Sequence, residues 1–273
     1  MARPAGGPGI TGELSELYDV FVDWPGRLAR ELPGLRAQLG ALGARRVLDV
    51  GCGTGQHVAA LLAEGLDAHG ADVSEDMLAR ARAAGVPGAR LHRWRLGDEP
   101  PDALRALAPF DAVLALGNVW PMLVTPYDLA AAGRALHALL RPGGRFVAGL
   151  KAFEARRASG QPYLPLLRRA HAGRTLWFVR FVDFEVAPVE GVRTCDLHMT
   201  VVAGTADEPA PEVLLHRATR VRSWSAAELA RWLDSAGFTD VRVGGSLTDP
   251  ALPATGEDVF AVAERPGARA RRP

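Results

Sequence analysis

Val47-Leu48-Asp49-Val50-Gly51-Cys52-Gly53-Thr54-Gly55 decides the fold of this chain: a short β-type run enters a glycine-rich turn, and a helical pattern leaves it at Gln56. Three glycines let the backbone bend sharply and lie close against a ligand. A glycine loop alone also reads as a tight turn between strand and helix, so its neighbours decide. Asp72 ends the next β-type run about 20 residues on, where a carboxylate can accept both ribose hydroxyls of an adenosine ligand. Asp98 follows the third run and is placed to accept from an adenine amino group. Together these features predict an adenosine site at the carboxyl ends of parallel strands, the expected crevice of an open α/β sheet.

Working outward, residues 45–150 alternate β-type runs with helical patterns, which predicts a parallel sheet with helices on both faces. Strands are expected at 47–50, 68–72, 90–94, 112–116 and 145–150, with helices near 56–64, 74–84 and 126–140. Pro142-Gly143-Gly144 supplies a turn into the fifth strand. Ser225 and Glu228 form an S-x-x-E capping box ahead of Leu229, Trp232, Leu233 and Ala236, and Gly237 stops that helix. Strands at 239–243 and 258–263 would complete the main sheet.

Residues 151–222 read differently. The stretches 176–186, 194–201 and 213–222 are β-type runs with no helix between them, which predicts a small antiparallel sheet inserted after the fifth strand, roofing the acceptor side. The expected division is a disordered start at 1–12, lid helices over 13–44, a ligand-binding core over 45–150, the insert over 151–222, the end of the core over 223–264 and a disordered basic tail over 265–273.

Of 273 residues, 48% are hydrophobic, enough for one main α/β domain with an insertion. A net charge of +1 from 32 basic and 31 acidic side chains gives no overall field to recruit nucleic acid or an acidic membrane. No run approaches the ~20 apolar residues of a membrane span, and no secretory signal opens the chain. Cys52 and Cys195 set no disulfide framework, which fits a soluble, cytoplasmic protein with a small-molecule partner. No metal site is expected, because the histidines do not cluster with Cys, Asp or Glu at ligand spacing. Arg141, Arg145, Arg156, Arg157, Arg168 and Arg169 alternate with acidic and apolar residues and read as solvated surface charge. Nothing in the ends or the charge balance signals an oligomeric interface.

A dinucleotide-dehydrogenase loop reads G-x-G-x-x-G, whereas here the third glycine falls one position early and Gln56 stands where the last glycine would be. Asp49 sharpens the difference, since a carboxylate just before the loop suits a ligand with a cationic amine and repels a pyrophosphate. S-adenosylmethionine carries an ammonium and a sulfonium, so the electrostatics favour it as cofactor.

These residues carry a family resemblance. The 47–55 segment, Ala71-Asp72-Val73-Ser74 with Met77-Leu78, Gly97-Asp98, Phe110-Asp111-Ala112-Val113 and Leu140-Arg141-Pro142-Gly143-Gly144 resemble the ordered motif set of class I S-adenosylmethionine-dependent methyltransferases. The resemblance covers most of 45–150 and implies a Rossmann-like, seven-stranded sheet whose last strand runs antiparallel. The cofactor side is assigned to Asp49, Gly51, Cys52, Gly53, Asp72, Val73, Met77, Asp98 and Leu116. Aromatic faces at Tyr18 and Trp24 are placed to stabilise a sulfonium by about 1 kcal/mol.

More narrowly, Tyr18-Asp19 with Asp23-Trp24, Leu116-Gly117-Asn118 and the inserted sheet are similar to the glycine/sarcosine N-methyltransferase group. That similarity implies that Asn118 and a cation at Lys151, where the group has arginine, help hold a substrate carboxylate, with Tyr18 near the reacting centre. Lysine lacks the two-pronged grip of arginine, which argues against glycine itself. Trp120-Pro121 replaces smaller or more polar residues and suggests a more apolar acceptor, although core packing explains a tryptophan equally well.

Methyl transfer to a small molecule is therefore expected, with Tyr18, Asn118 and Lys151 as catalytic and acceptor-binding residues and Trp120 as a further acceptor contact. N-methylation of an amine is the first reading and O- or C-methylation its rival. A catalytically silent S-adenosylmethionine-binding protein is the alternative from another class. His171 and His198, in the insert, are candidate bases for a phenol or carbon acid, but nothing near them marks a catalytic partner. His57 belongs to the cofactor side.

Overall fold

In the computed structural model, which describes residues 10–205, 210–249, 252 and 258–267, β1 (Arg46–Val50) runs through the middle of a seven-stranded sheet. It sits there because both its faces are apolar: Val47 packs into one core cluster, Leu48 and Val50 into the other. It pairs in parallel with β2 (Asp67–Asp72), followed by β3 (Leu91–Arg93), and on its other edge with β4 (Phe110–Ala115), followed by β5 (Leu140–Lys151). Beyond the insert, β10 (Thr239–Gly244) and β11 (Asp258–Glu264) give the order β10-β11-β5-β4-β1-β2-β3. β11 runs antiparallel to both neighbours, as the family resemblance implied.

A lid helix, α1 (Glu13–Phe21), precedes α2 (Trp24–Leu42), which covers one face of the sheet with α3 (Gln56–Ala63) and α4 (Glu75–Ala83). The other face is covered by α5 (Asp102–Leu107), α6 (Pro126–Leu139) and α8 (Ala226–Ser235). Side-chain caps fix several starts: Asp23 accepts from Gly26 N at 3.1 Å, Ser74 from Met77 N at 3.3 Å and Thr125 from Asp128 N at 3.0 Å. Ser225 and Glu228 bond reciprocally at 3.2 and 3.0 Å, the capping box expected from sequence. Each such cap contributes about 1 kcal/mol.

After the short helix α7 (Phe153–Ala158), the insert folds as β6 (Leu167–His171), β7 (Arg174–Asp183), β8 (Thr194–Gly204) and β9 (Glu212–Arg222), antiparallel neighbours in chain order. The sequence predicts three of these strands. β6 escapes because Leu-Arg-Arg-Ala-His is a charged edge strand rather than a hydrophobic run. At one end of the sheet, Leu176, Phe178 and Val201 pack against Leu17 and Phe21 of α1; at the other, Val182, Cys195 and Val221 pack against Phe153.

At the amino-terminal end, the Ser74 hydroxyl donates to the Ile10 carbonyl and Gly12 N–H to Asp76 Oδ2 at 2.9 Å. Arg265 exchanges two backbone hydrogen bonds of 2.8 Å with Gly143 and Gly144, which draws Pro142-Gly143-Gly144 into the start of β5 instead of leaving a free turn. Order therefore extends to 10–12 and to Arg265, inside the spans expected to lack it, while 1–9 and 268–273 lie outside the described residues. No helix among the described residues is long and apolar enough to cross a membrane.

Candidate cofactor and acceptor site

Gly51, Gly53 and Gly55 adopt φ of 70°, 57° and 76°, the left-handed region that glycine enters without strain. A Cβ on Gly51 would stand 2.1 Å from Val119 Cγ2, and one on Gly53 would stand 3.2 Å from Met77 Cε, so side chains there would fill the cradle. Asp72, at the end of β2, holds the loop in place: Oδ2 accepts from Gly53 N and Oδ1 from Ser74 N, both at 2.9 Å. Burial pushes its carboxyl upward against the pull of these backbone donors. Each oxygen keeps a second lone pair that can accept a ribose hydroxyl.

The lid is bonded to this cradle. Asp19 Oδ1 accepts from both Trp24 Nε1 and Thr54 Oγ1 at 2.7 Å. Arg27 Nε donates to the two Glu31 oxygens at 3.0 and 3.2 Å, and Glu31 Oε2 lies 2.7 Å from His57 Nε2. Burial would raise the Glu31 carboxyl, but the His57 hydrogen bond and the Arg27 charge hold it below its usual value. Tyr18 is raised by burial, with Arg27 opposing as charge and hydrogen-bond partner. Behind the loop, Asp49 has no hydrogen-bond partner among the described residues, and burial pushes it up to about 6 against the charges of His57 and Arg27. An orphaned buried carboxylate is the group that a cationic ligand just beyond the loop would compensate.

A cavity of about 570 Å³ runs from the cradle to the inserted sheet. Of the residues singled out from sequence, Tyr18, Gly51, Gly53, Asp72, Val73, Met77, Leu116, Asn118 and Lys151 line it. Asn118 Oδ1 accepts from Lys151 N at 3.3 Å, joining the carboxyl ends of β4 and β5.

Five others stand outside its wall. Trp24 anchors the lid through Asp19, its ring edge-on to His57 at 5.7 Å; Asp49 acts from behind the loop; and Cys52 packs in the core beneath it. Asp98 turns to Arg95, with Oδ1 3.4 Å from Nη1, and Trp94, Arg95 and Leu96 form the wall in its place. Trp120 is fully buried, its ring 5.3 Å from Phe146 and 4.7 Å from Trp232, so its bulk fills the core rather than the acceptor space.

Lys151 Nζ lies 2.7 Å from Asp258 Oδ1, so the cation expected for a substrate carboxylate already faces an acid. His171 is exposed at the end of β6, and His198 stacks on Phe181 at 4.5 Å; neither lines the cavity. Among the described residues, no group of three His, Cys, Asp or Glu side chains is placed to hold a metal ion.

Sequence reasoning missed Arg27, Glu31 and Asp258 and misplaced two arginines read as solvated surface: Arg145 is buried and donates to the Gln38 carbonyl at 2.7 Å, and Arg169 lines the cavity with Arg180 and Arg217. A signal existed for the last two. Arg180 follows Leu176 and Phe178, and Arg217 precedes Thr219 and Val221, at the period-2 positions of a core-facing strand edge.

Sheet order, glycine cradle and lidded cavity together define an α/β fold that holds an adenosyl ligand at its strand ends. Residues 48–146 match a family model described as a methyltransferase domain. A glycine/sarcosine N-methyltransferase from Parasynechococcus marenigrum is 35% identical over 132 residues, 48% of this chain and 47% of that enzyme, so the match spans about half of the relative's length. A dTDP-3-amino-3,4,6-trideoxy-alpha-D-glucopyranose N,N-dimethyltransferase from Streptomyces venezuelae is 33% identical over 60% of this chain and 71% of its own. The fold is shared with an S-adenosylmethionine-bound amino pentose methyltransferase from Micromonospora echinaspora, at a TM-score of 0.68 and 24% identity over 94% of this chain and 98% of that one. This chain belongs to the class I S-adenosylmethionine-dependent methyltransferases, with S-adenosylmethionine as its cofactor.

Proposed function

We propose that this enzyme methylates the nitrogen of a small-molecule amine bound beneath the inserted sheet. The carrying observation is one cavity that joins Asp72 and Met77 at the cofactor end to Leu197 and Met199 of the insert, with Tyr18, Asn118 and Lys151 along its wall. The names of the relatives support nitrogen, since the glycine/sarcosine and aminosugar enzymes are both N-methyltransferases.

S-adenosylmethionine supplies a methyl group already activated by its sulfonium, so the chain's task is alignment and exclusion of water. Asp72 is positioned to take the ribose hydroxyls, and Gly51 and Gly53 admit the ligand close to the backbone. Asp49, when ionised, offsets positive charge from behind the loop. Tyr18 and α1 close the cradle. An amine attacks in its neutral form and needs no strong base; Asp258, on the same wall, offers a carboxylate for the proton released.

Turnover assays with S-adenosylmethionine and panels of amines, phenols and carbon acids test this reading. Release of S-adenosylhomocysteine with amines is expected, reduced in Asn118→Ala while cofactor affinity is kept. Turnover confined to phenols or carbon acids, or cofactor binding with no turnover on any class, would overturn it.

A further inference from the structure

The inner face of the inserted sheet carries two apolar clusters that do not meet. One gathers Leu176, Phe178 and Val201, with Phe21, Leu167 and Met199 at its edge. The other gathers Phe153, Val182 and Val221, with Leu164 and Leu197 at its edge. They part at the row Arg180–Met199–Arg217 across β7, β8 and β9, which lies between the Phe178–Val201 row and the Val182–Leu197 row.

Both edges open on the cavity. Phe21, Leu167 and Met199 line it from one cluster, Leu164 and Leu197 from the other, and the main sheet adds Leu150 and Phe260. Leu164, Leu167, Leu197 and Met199 are left half-buried there, where the close packing of a protein interior would bring the two clusters together.

The cations on this side are already engaged by the protein. Lys151 Nζ lies 2.7 Å from Asp258 Oδ1, and Arg169 Nη1 donates to the Arg168 carbonyl at 3.0 Å. Arg180 packs its guanidinium 5.1 Å over the Phe21 ring and donates from Nη2 to the Pro165 carbonyl at 3.0 Å. Arg217 also has its partner within the protein. With the charged heads occupied, the gap meets a ligand through leucine, methionine and phenylalanine side chains and the aliphatic stems of the arginines.

We propose that the methyl acceptor is an amine carried on an apolar body, hydrocarbon or aromatic, which fills the gap and joins the two clusters into one core. This rests on the reading of the cavity as the acceptor site of an N-methyltransferase. It sets the acceptor apart from the amino acids and the nucleotide aminosugar for which the relatives are named. Burial of the body removes apolar surface of both partners from water and directs the nitrogen to the cofactor end, where alignment with the methyl group is needed.

Calorimetry on enzyme loaded with S-adenosylhomocysteine, titrated at one pH with propylamine, butylamine, pentylamine, hexylamine, phenethylamine and ethanolamine, tests the proposal. The unbranched alkylamines carry the same charged group, so the trend along the series reports the apolar wall. Affinity is expected to rise about threefold to fourfold for each added methylene, with phenethylamine bound more tightly than ethanolamine. Leu197→Asn/Met199→Gln, which keeps side-chain size but makes both cluster edges polar, should flatten that trend and weaken hexylamine about tenfold; Leu197→Met/Met199→Leu should keep it. S-adenosylhomocysteine affinity, unchanged in both variants, reports that the fold and cradle are intact. Affinity independent of chain length, no binding of any alkylamine, or a trend untouched in the polar variant would overturn the proposal and leave the methyltransferase reading standing. Failure of S-adenosylhomocysteine to bind the wild type would instead overturn that reading.

Discussion

The Thr54 hydroxyl donates to Asp19 Oδ1 at 2.7 Å and fixes the first lid helix to the glycine loop. The same oxygen accepts from Trp24 Nε1, so one carboxylate holds α1, the start of α2 and the loop together.

Asp19→Ala removes both bonds at once. S-adenosylhomocysteine affinity is expected to fall about tenfold, the scale of one charged hydrogen bond, while the melting temperature moves only a few degrees. Calorimetry with hydrogen exchange over the lid checks this. Unchanged affinity and unchanged exchange would show that other contacts hold the lid.

Asp49 makes stability depend on pH. Burial pushes it up to about 6, above the value of about 3.9 it has when unfolded. The folded state binds that proton more tightly, so the contribution of Asp49 is fully present below pH ~4 and is lost as pH rises through about 6. Between those limits, cofactor-free wild type should lose on the order of 3 kcal/mol relative to Asp49→Asn, with no further change above. Urea unfolding of both proteins across the range measures it; a flat difference would mean that the carboxylate is not desolvated.

Trp120 separates a core residue from an acceptor contact. Trp120→Ala is expected to cost about 3–5 kcal/mol in equilibrium unfolding. Trp120→Phe should cost less, because the indole N–H has no partner among the described residues to lose. Intact stability with a raised KM for the acceptor would return the residue to the cavity wall.

The cofactor half was legible in the sequence because local geometry writes it there. Gly51, Gly53 and Gly55 mark left-handed backbone, and Asp72 sits at a fixed distance along one strand-helix-strand unit. The acceptor half depends on contacts between distant segments. Trp120 and Asp98 lie in loops whose direction no periodicity sets, and each turned away from the cavity. Asp258 reaches Lys151 only through the antiparallel β11 ladder. Arg169, on a charged edge strand, resembles solvated surface until β7 shows which way it faces.

Transfer of an isotope-labelled methyl group from S-adenosylmethionine into a metabolite extract, with the product identified by mass and the label located by nuclear magnetic resonance, tests N-methylation most directly. The expected product is an amine labelled on nitrogen. Label on oxygen or carbon, or in no small molecule at all, would contradict it.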